Sequence, residues 1–209
     1  MPPTTRLTTV VGGISLAITL AACGDSGVTP SSEPASVTAV ETTDSPPGID
    51  DHGWHNDDDT MFAQMMIIHH EGAIEMADLA VERADSQQVR SLAEGISAAQ
   101  GPEIRQMTSW LEFWDEEVSP PAHDVMAHEG MEMEGMNQQE AMSELESLSG
   151  AGFDRRFLEL MIAHHRGAVE MAETHVYAGQ NREALELAKT IIIDQQDEIT
   201  QMEELLEGL

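Results

Sequence analysis

Residues 59–111 and 154–206 align at a constant offset of 95 without a gap, so one unit is written twice in this chain. DTMFAQMMIIHHEGAIEMA at 59–77 becomes DRRFLELMIAHHRGAVEMA at 154–172. Matched positions include Asp59/Asp154, Phe62/Phe157, Met66/Met161, His69/His164, His70/His165, Gly72/Gly167, Glu75/Glu170 and Met76/Met171. Further along, Gln100/Gln195, Glu103/Glu198, Ile104/Ile199, Met107/Met202 and Leu111/Leu206 keep the register. A unit of roughly 50 residues holds two helices, and a repeated unit buries its apolar face by stacking on its neighbour. Two units give four helices and two equivalent half-sites, each with a double histidine.

Helical periodicity runs through both copies. The first helix is expected over about residues 58–84, with Asp57, Asp58 and Asp59 supplying its N-cap and a favourable negative charge. At about 100° per residue, Phe62, Met66, His69, Ala73, Met76 and Ala80 form one stripe, with His70 at its edge. Glu71, Glu75 and Asp78 fall on the opposite, solvated side. A second helix over about 86–114 points Val89, Leu92, Ile96, Met107 and Leu111 inward, with Gln100 and Glu103 on the same face. A carboxylate on a core face is costly unless paired or metal-bound, so its partner is expected on the first helix. The second copy repeats this, with one helix from near Phe153 to Gly179 and another from Asn181 to Leu206. Pro120-Pro121 is expected to stop the second helix, and Ser149-Gly150-Ala151-Gly152 to break the chain before the third. No strand pattern appears after the leader. The fold expected is all-α: a four-helix bundle of two antiparallel hairpins with pseudo-two-fold symmetry.

The chain's start reads as an export signal. Arg6, the apolar stretch Val10–Leu20 and then Leu20-Ala21-Ala22-Cys23 resemble a lipoprotein leader, with residues 1–22 removed and Cys23 lipidated. An ordinary leader with an incidental cysteine, or a membrane helix, are the alternatives. The apolar run is short for a span, and the chain's one cysteine stands where lipidation requires it. Residues 23–56, rich in Ser, Thr, Pro, Gly and Glu from Gly24 to about Gly48, read as a disordered tether to a folded domain at 57–209. The expected location is the extracytoplasmic side of the cell membrane, held by lipid. With Cys23 used, any metal must bind through His, Met, Asp or Glu. A net charge of −30, with Lys189 the single lysine, argues against nucleic acid and favours cations as partners.

Three constellations could bind a cation. Met66/His70 and Met161/His165 are spaced i, i+4, so thioether and imidazole can converge, with His69 and His164 facing the core. Thioethers select Cu(I), and imidazole suits copper, zinc, iron and nickel. Singly, each such Met is core filling and each such His a hydrogen-bonded core residue. Duplication of the whole set favours ligands. Second, Glu103 and Glu198 can serve either as ligands or as acceptors fixing the tautomer of a facing histidine. The Glu-x-x-His spacing of di-metal carboxylate bundles is absent, since Gln106 and Gln201 stand three residues on. Third, the connector between the repeats, 115–152, carries His123, Met126, His128, Met131, Met133 and Met136 in an acidic stretch able to wrap a soft cation. His52 and His55 are weaker signals and stand outside the candidate site.

The pattern F-x-x-x-M-I-x-H-H-x-x-A-[IV]-x-M-A followed by Q-x-x-E-I-x-x-M resembles the bacterial domain of unknown function 305 family. The resemblance covers about 56–206, duplication and Met-rich connector included. It implies a ferritin-like helical bundle in an exported or membrane-anchored protein, with copper binding or tolerance in some members. The positions it carries over are His69, His70, Met66, Met76, Glu103 and Met107, with His164, His165, Met161, Met171, Glu198 and Met202. Glu71 and Arg166 depart between the copies, and as outward residues are expected to matter little.

The function expected is a copper-binding lipoprotein, a Cu(I) scavenger or chaperone conferring metal tolerance, with Cu(I) favoured over Cu(II) and another divalent metal possible. The Met-rich connector would add capacity or pass ions to a protein partner; oligomeric state is not legible. No nucleophile with a matching base and no nucleotide-binding loop is visible, so a non-enzymatic role is expected. Two alternatives stay open: a redox-active copper or di-metal oxidase using His69, His164, Glu103 and Glu198, and a metal-free helical interaction module whose His–Glu pairs are buried fasteners.

Overall fold

The structure, a computed structural model, describes residues 53–120, 133 and 135–209. Five helices follow in order: α1 (Asp57–Arg83), α2 (Gln87–Trp114), α3 (Gln138–Ser147), α4 (Gly150–Ala178) and α5 (Arg182–Gly208). The four long helices are those the repeat predicts, and the all-α class is observed. The expected leader and tether, Cys23 among them, lie outside the described residues. Among the described residues no helix is long and apolar enough to cross a membrane.

The helix ends show what local sequence does. The cap of α1 is Asn56, one residue before the expected aspartates: its side chain accepts from the Asp59 N–H while Asp59 accepts from the Asn56 N–H. Ser86 and Asn181 cap α2 and α5 by one-way bonds, the Ser86 hydroxyl accepting from the Val89 N–H and the Asn181 side-chain oxygen from the Glu183 and Ala184 N–H groups. Two stop signals differ from expectation. At its C-terminus α2 ends at Asp115, in the left-handed region at φ 60, ahead of the prolines. The run Gly150-Ala151-Gly152 forms the first turn of α4 rather than a break. Tertiary packing overrides the weak helix propensity of the glycines there, because Phe153, Phe157 and Leu158 are completely buried. The short α3 inside the connector was not foreseen. Asn137 and Glu140 build a capping box for it, and Ala141 and Leu145 bury its inner face.

Hairpins α1–α2 and α4–α5 pack through α1 against α4, with α2 and α5 as the flanking pair. The apolar residues segregate into two cores. One joins Ala73–Ala84 of α1, Val89–Ile96 of α2, Phe153–Ile162 of α4 and Met202 of α5, with Met133, Ala141 and Leu145 of the connector. The other joins Phe62–Ile67 of α1, Met107–Trp114 of α2, Ala168 and Ala172 of α4 and Ala184–Ile191 of α5. On every long helix, the segment between these two stretches carries at least two polar residues that are buried or half-buried.

The hairpins are also latched reciprocally. The Asp59 carboxylate, fully buried, accepts backbone N–H bonds from Gln180 and Asn181 at 3.0–3.1 Å in the α4–α5 turn. Its repeat counterpart Asp154 accepts from Asp85 and Ser86 at 2.9 and 2.7 Å in the α1–α2 turn. Each repeat thereby caps the second helix of the other. Charge-assisted bonds to helix N-termini satisfy donors that have no intrahelical partner.

Candidate metal centre

Between the two apolar cores lies a buried polar layer to which every long helix contributes two residues: His69 and His70, Gln100 and Glu103, His164 and His165, Gln195 and Glu198. His70 and His165 are completely buried, and His69 and His164 nearly so. At the centre, the rings of His69 and His164 meet with centroids 3.6 Å apart and planes tilted by 43°. The pseudo-two-fold axis therefore passes between them.

On either side of this pair the geometry repeats. His70 Nε2 lies 2.8 Å from Glu103 Oε2, and His165 Nε2 lies 2.7 Å from Glu198 Oε2. The partner of each carboxylate is indeed on the first helix of its own repeat, but it is the second histidine of the pair, not the core-facing first. An oxidase centre of His69, His164, Glu103 and Glu198, as considered from the sequence, would draw its imidazoles and carboxylates from different pairs. With Nε2–H donated to the carboxylate, a ring that carries one proton has its lone pair on Nδ1. Those two Nδ1 atoms are buried and meet no hydrogen-bond partner in the protein, and neither does His164 Nδ1. A histidine whose one nitrogen is fixed by a carboxylate and whose other is left bare has the form of a metal ligand with its orienting group.

The electrostatics of the layer bear most clearly on His164. Burial, with the fields of His69, His165 and His70 added, holds His164 well below the ordinary histidine range. Asp194, on α5, is raised by partial burial and then by Glu103, Glu198 and Asp197. Gln100 and Gln195 have buried amide atoms without partners, Gln100 at both its oxygen and its nitrogen. They are the remaining polar members of the layer.

The thioethers flank the layer in two sets that cross the repeats. Met66 and Met107 belong to one core, and Met171 packs against it. Met161, Met202 and Met76 belong to the other. Antiparallel packing of α1 on α4 produces this exchange, so each set draws two thioethers from one repeat and one from the other. Met133 is buried in the second of these cores and Met136 packs against it, the two joined by a bridge of backbone hydrogen bonds around Gly135 at φ 81. These two connector methionines are thus part of the packed domain rather than of an open stretch. Met126, Met131, His123 and His128 lie outside the described residues. Among the described residues, no three His, Cys, Asp or Glu side chains converge to hold a metal ion.

Two features escaped sequence reading. His175 is buried on α4, stacks on Phe62 with centroids 4.1 Å apart, and brings Nε2 to 3.5 Å from Asp59 Oδ1. Its repeat counterpart is Ala80, so no duplication announces it. The latch role of Asp59 and Asp154 was also missed, although the match of these two positions was visible in the alignment.

Fold and site together define a class: a duplicated helical bundle with a buried histidine–glutamate layer set between methionine-bearing cores. The family profile described as Domain of unknown function (DUF305) matches residues 59–206, and the chain belongs to that family. Solved structures agree. A DUF305 fragment from Deinococcus radiodurans is 33% identical with a TM-score of 0.65, over 74% of this chain and 98% of that one. A DUF305 protein from Streptomyces coelicolor is 33% identical with a TM-score of 0.62, over 72% and 93%. CopM in its Cu(I)-bound form is 30% identical with a TM-score of 0.59, over 72% and 96%, and the same protein is solved in Cu(II)-bound and silver-bound forms. No curated protein matches this chain.

Proposed function

We propose that this chain is an extracytoplasmic copper-binding lipoprotein, a scavenger or chaperone that carries Cu(I) as cargo and performs no turnover on it. The observation that carries the reading is the pair of buried, unpartnered Nδ1 atoms on His70 and His165. Each ring is oriented by its glutamate and stands four residues from a buried methionine. A buried lone pair costs free energy unless something occupies it. Imidazole with thioether is a donor set for a soft monovalent ion. Glu103 and Glu198 act as orienting acceptors; His70, His165, Met66, Met161, Met107, Met202, Met76 and Met171 are the candidate ligands, with His69 and His164 between the half-sites. That CopM is solved with Cu(I), Cu(II) and silver supports the choice of ion. Met126, His128 and Met131, with Met133 and Met136, would add capacity or pass the ion to a protein partner. Lipidated Cys23 would place the domain at the membrane.

An anaerobic Cu(I) titration against a chromophoric chelator tests this. The chain should compete for Cu(I), and the His70→Ala/His165→Ala variant should lose the competition. The Met66→Leu/Met161→Leu variant should stay folded, because Leu replaces Met at nearly constant volume, and should bind more weakly. Equal competition by all three proteins would reject the site, and no competition by any would reject the copper reading.

A further inference from the structure

The two half-sites are nearly symmetric, but their approaches from solvent are not. On one side of the α1–α4 seam a cleft of about 390 Å³ is lined by His69, Glu71, Gly72, Glu75, Gln138 and His164. It runs from an exposed, acidic mouth at Glu71 and Glu75 to the central histidine pair. His164 is 5% exposed, and its Nδ1 meets no hydrogen-bond partner in the protein. Gly72 keeps the floor open: a Cβ there would stand 2.9 Å from Gln138 Oε1 and 3.4 Å from His164 Nε2.

Gln138, the first residue of α3, lies across this cleft. Its Nε2 donates to the Gly72 carbonyl at 3.0 Å and to Glu75 Oε2 at 2.9 Å. The helix that carries it is fixed at its far end, where Arg83 donates to the Glu146 and Leu148 carbonyls and Arg156 pairs with Glu144. The side chain is thus a small bar on a rigid mount.

The repeat supplies a built-in comparison. At the position equivalent to Glu71 the second copy carries Arg166, exposed and paired with Glu203 at 2.8 Å. Nothing in the repeat corresponds to α3, because the connector occurs once. The cleft on this side is therefore negative at its mouth and barred by an amide, while the equivalent position on the other side carries a guanidinium already paired with a carboxylate. The Glu71/Arg166 difference thus makes the two sides unequal in charge.

We propose that this cleft is the inlet by which a soft monovalent cation reaches the histidine layer, with Glu71 and Glu75 attracting it, Gln138 barring the way and His164 the first imidazole it meets. The proposal rests on the cation-carrying reading above. It concerns rates: a bar that is equally in the way on entering and leaving changes both without changing affinity. Carboxylates at a concave mouth raise the local cation concentration and the on-rate, an effect that salt weakens.

Stopped-flow uptake of Ag(I), which is redox-inert, by the full chain tests it. Gln138→Ala should speed uptake and release together by about tenfold, the worth of the bar's lost hydrogen bonds, with Kd unchanged. Glu71→Gln should slow uptake, whereas Glu170→Gln, the same charge change on the opposite approach, should not. Unchanged rates in Gln138→Ala, or equal slowing by Glu71→Gln and Glu170→Gln, would overturn the inlet while leaving the cation reading intact. Failure of the wild-type chain to bind Ag(I) at all would instead bring down the reading beneath it, and the inlet for a cation with it. A readout without metal stands beside these: acylation of His164 by diethyl pyrocarbonate, followed by mass spectrometry, should be faster in Gln138→Ala. Equal acylation would overturn the inlet whatever the metal result.

Discussion

His164 stays neutral at pH values where a solvent-exposed histidine takes up a proton, because burial, and then the three neighbouring imidazoles, oppose its charge. His175 is lowered too, by burial, although Asp59 pulls in the other direction. In the unfolded chain both rings titrate near 6.5. Below that pH the unfolded state binds more protons than the folded one, so stability must fall as pH falls through the window beneath 6.5 and level off below the folded values. Thermal unfolding of the metal-free domain at constant ionic strength, from about pH 8 down to about pH 5, should show a plateau followed by a decline. The decline should be shallower in His175→Gln. A rise in melting temperature across that interval would count against His164 and His175 being held neutral in the folded domain. The sequence made the residue types of this layer legible, since duplication singles out His69, His70, Glu103 and their counterparts. It did not show which histidine meets the glutamate. The stripe placed His70 at an edge, and at about 100° per residue one step decides whether a ring faces α4 or α2.

Among the helices, the reciprocal latch is the contact that depends most on having two repeats. Asp59 satisfies the first backbone donors of α5, and Asp154 those of α2. Truncating either carboxylate leaves these donors without their charged acceptor in a partly buried turn. Asp154→Ala should therefore destabilise the domain by about 2–4 kcal/mol, read from urea unfolding. A loss under about 0.5 kcal/mol, the range of an ordinary surface change, would show that water replaces the carboxylate and the latch is incidental. Helix boundaries were read closely where a cap residue precedes an apolar stripe, as at Ser86 and Asn181. They were misread where glycines begin α4, because burial of Phe153 and Phe157 outweighs local propensity. Helix α3 was hidden by the methionines and glycines around it, although Asn137 and Glu140 carry a capping-box signature.

For the whole molecule, the proposed tether and lipid would combine with the acidic domain into a cation collector held near the membrane. Multiple acyl chains on Cys23 would hold it firmly where a single chain would not. In the host cell, the full chain should partition with membranes and extract only with detergent. Cys23→Ser should appear in the soluble extracytoplasmic fraction with Cu(I) binding intact. Recovery of Cys23→Ser with the membranes would remove the lipid anchor from the account.

The sequence by itself determined the number of long helices, their inward faces and the composition of the polar layer and of the methionine sets beside it. These properties follow from periodicity and duplication, which are local and are read along one chain. Tertiary structure decided what no single helix can: that Glu103 and Glu198 take His70 and His165, and that Met76 joins Met161 and Met202 while Met171 joins Met66 and Met107. It also decided that an acidic cleft crossed by Gln138 reaches the centre on one side, while Arg166, paired with Glu203, stands at the position equivalent to Glu71. The physical reason is the antiparallel crossing of α1 on α4 about the His69–His164 contact. Its rotation and register are set by packing across the interface, so partners come from opposite repeats, and a connector present once leaves the two sides unequal.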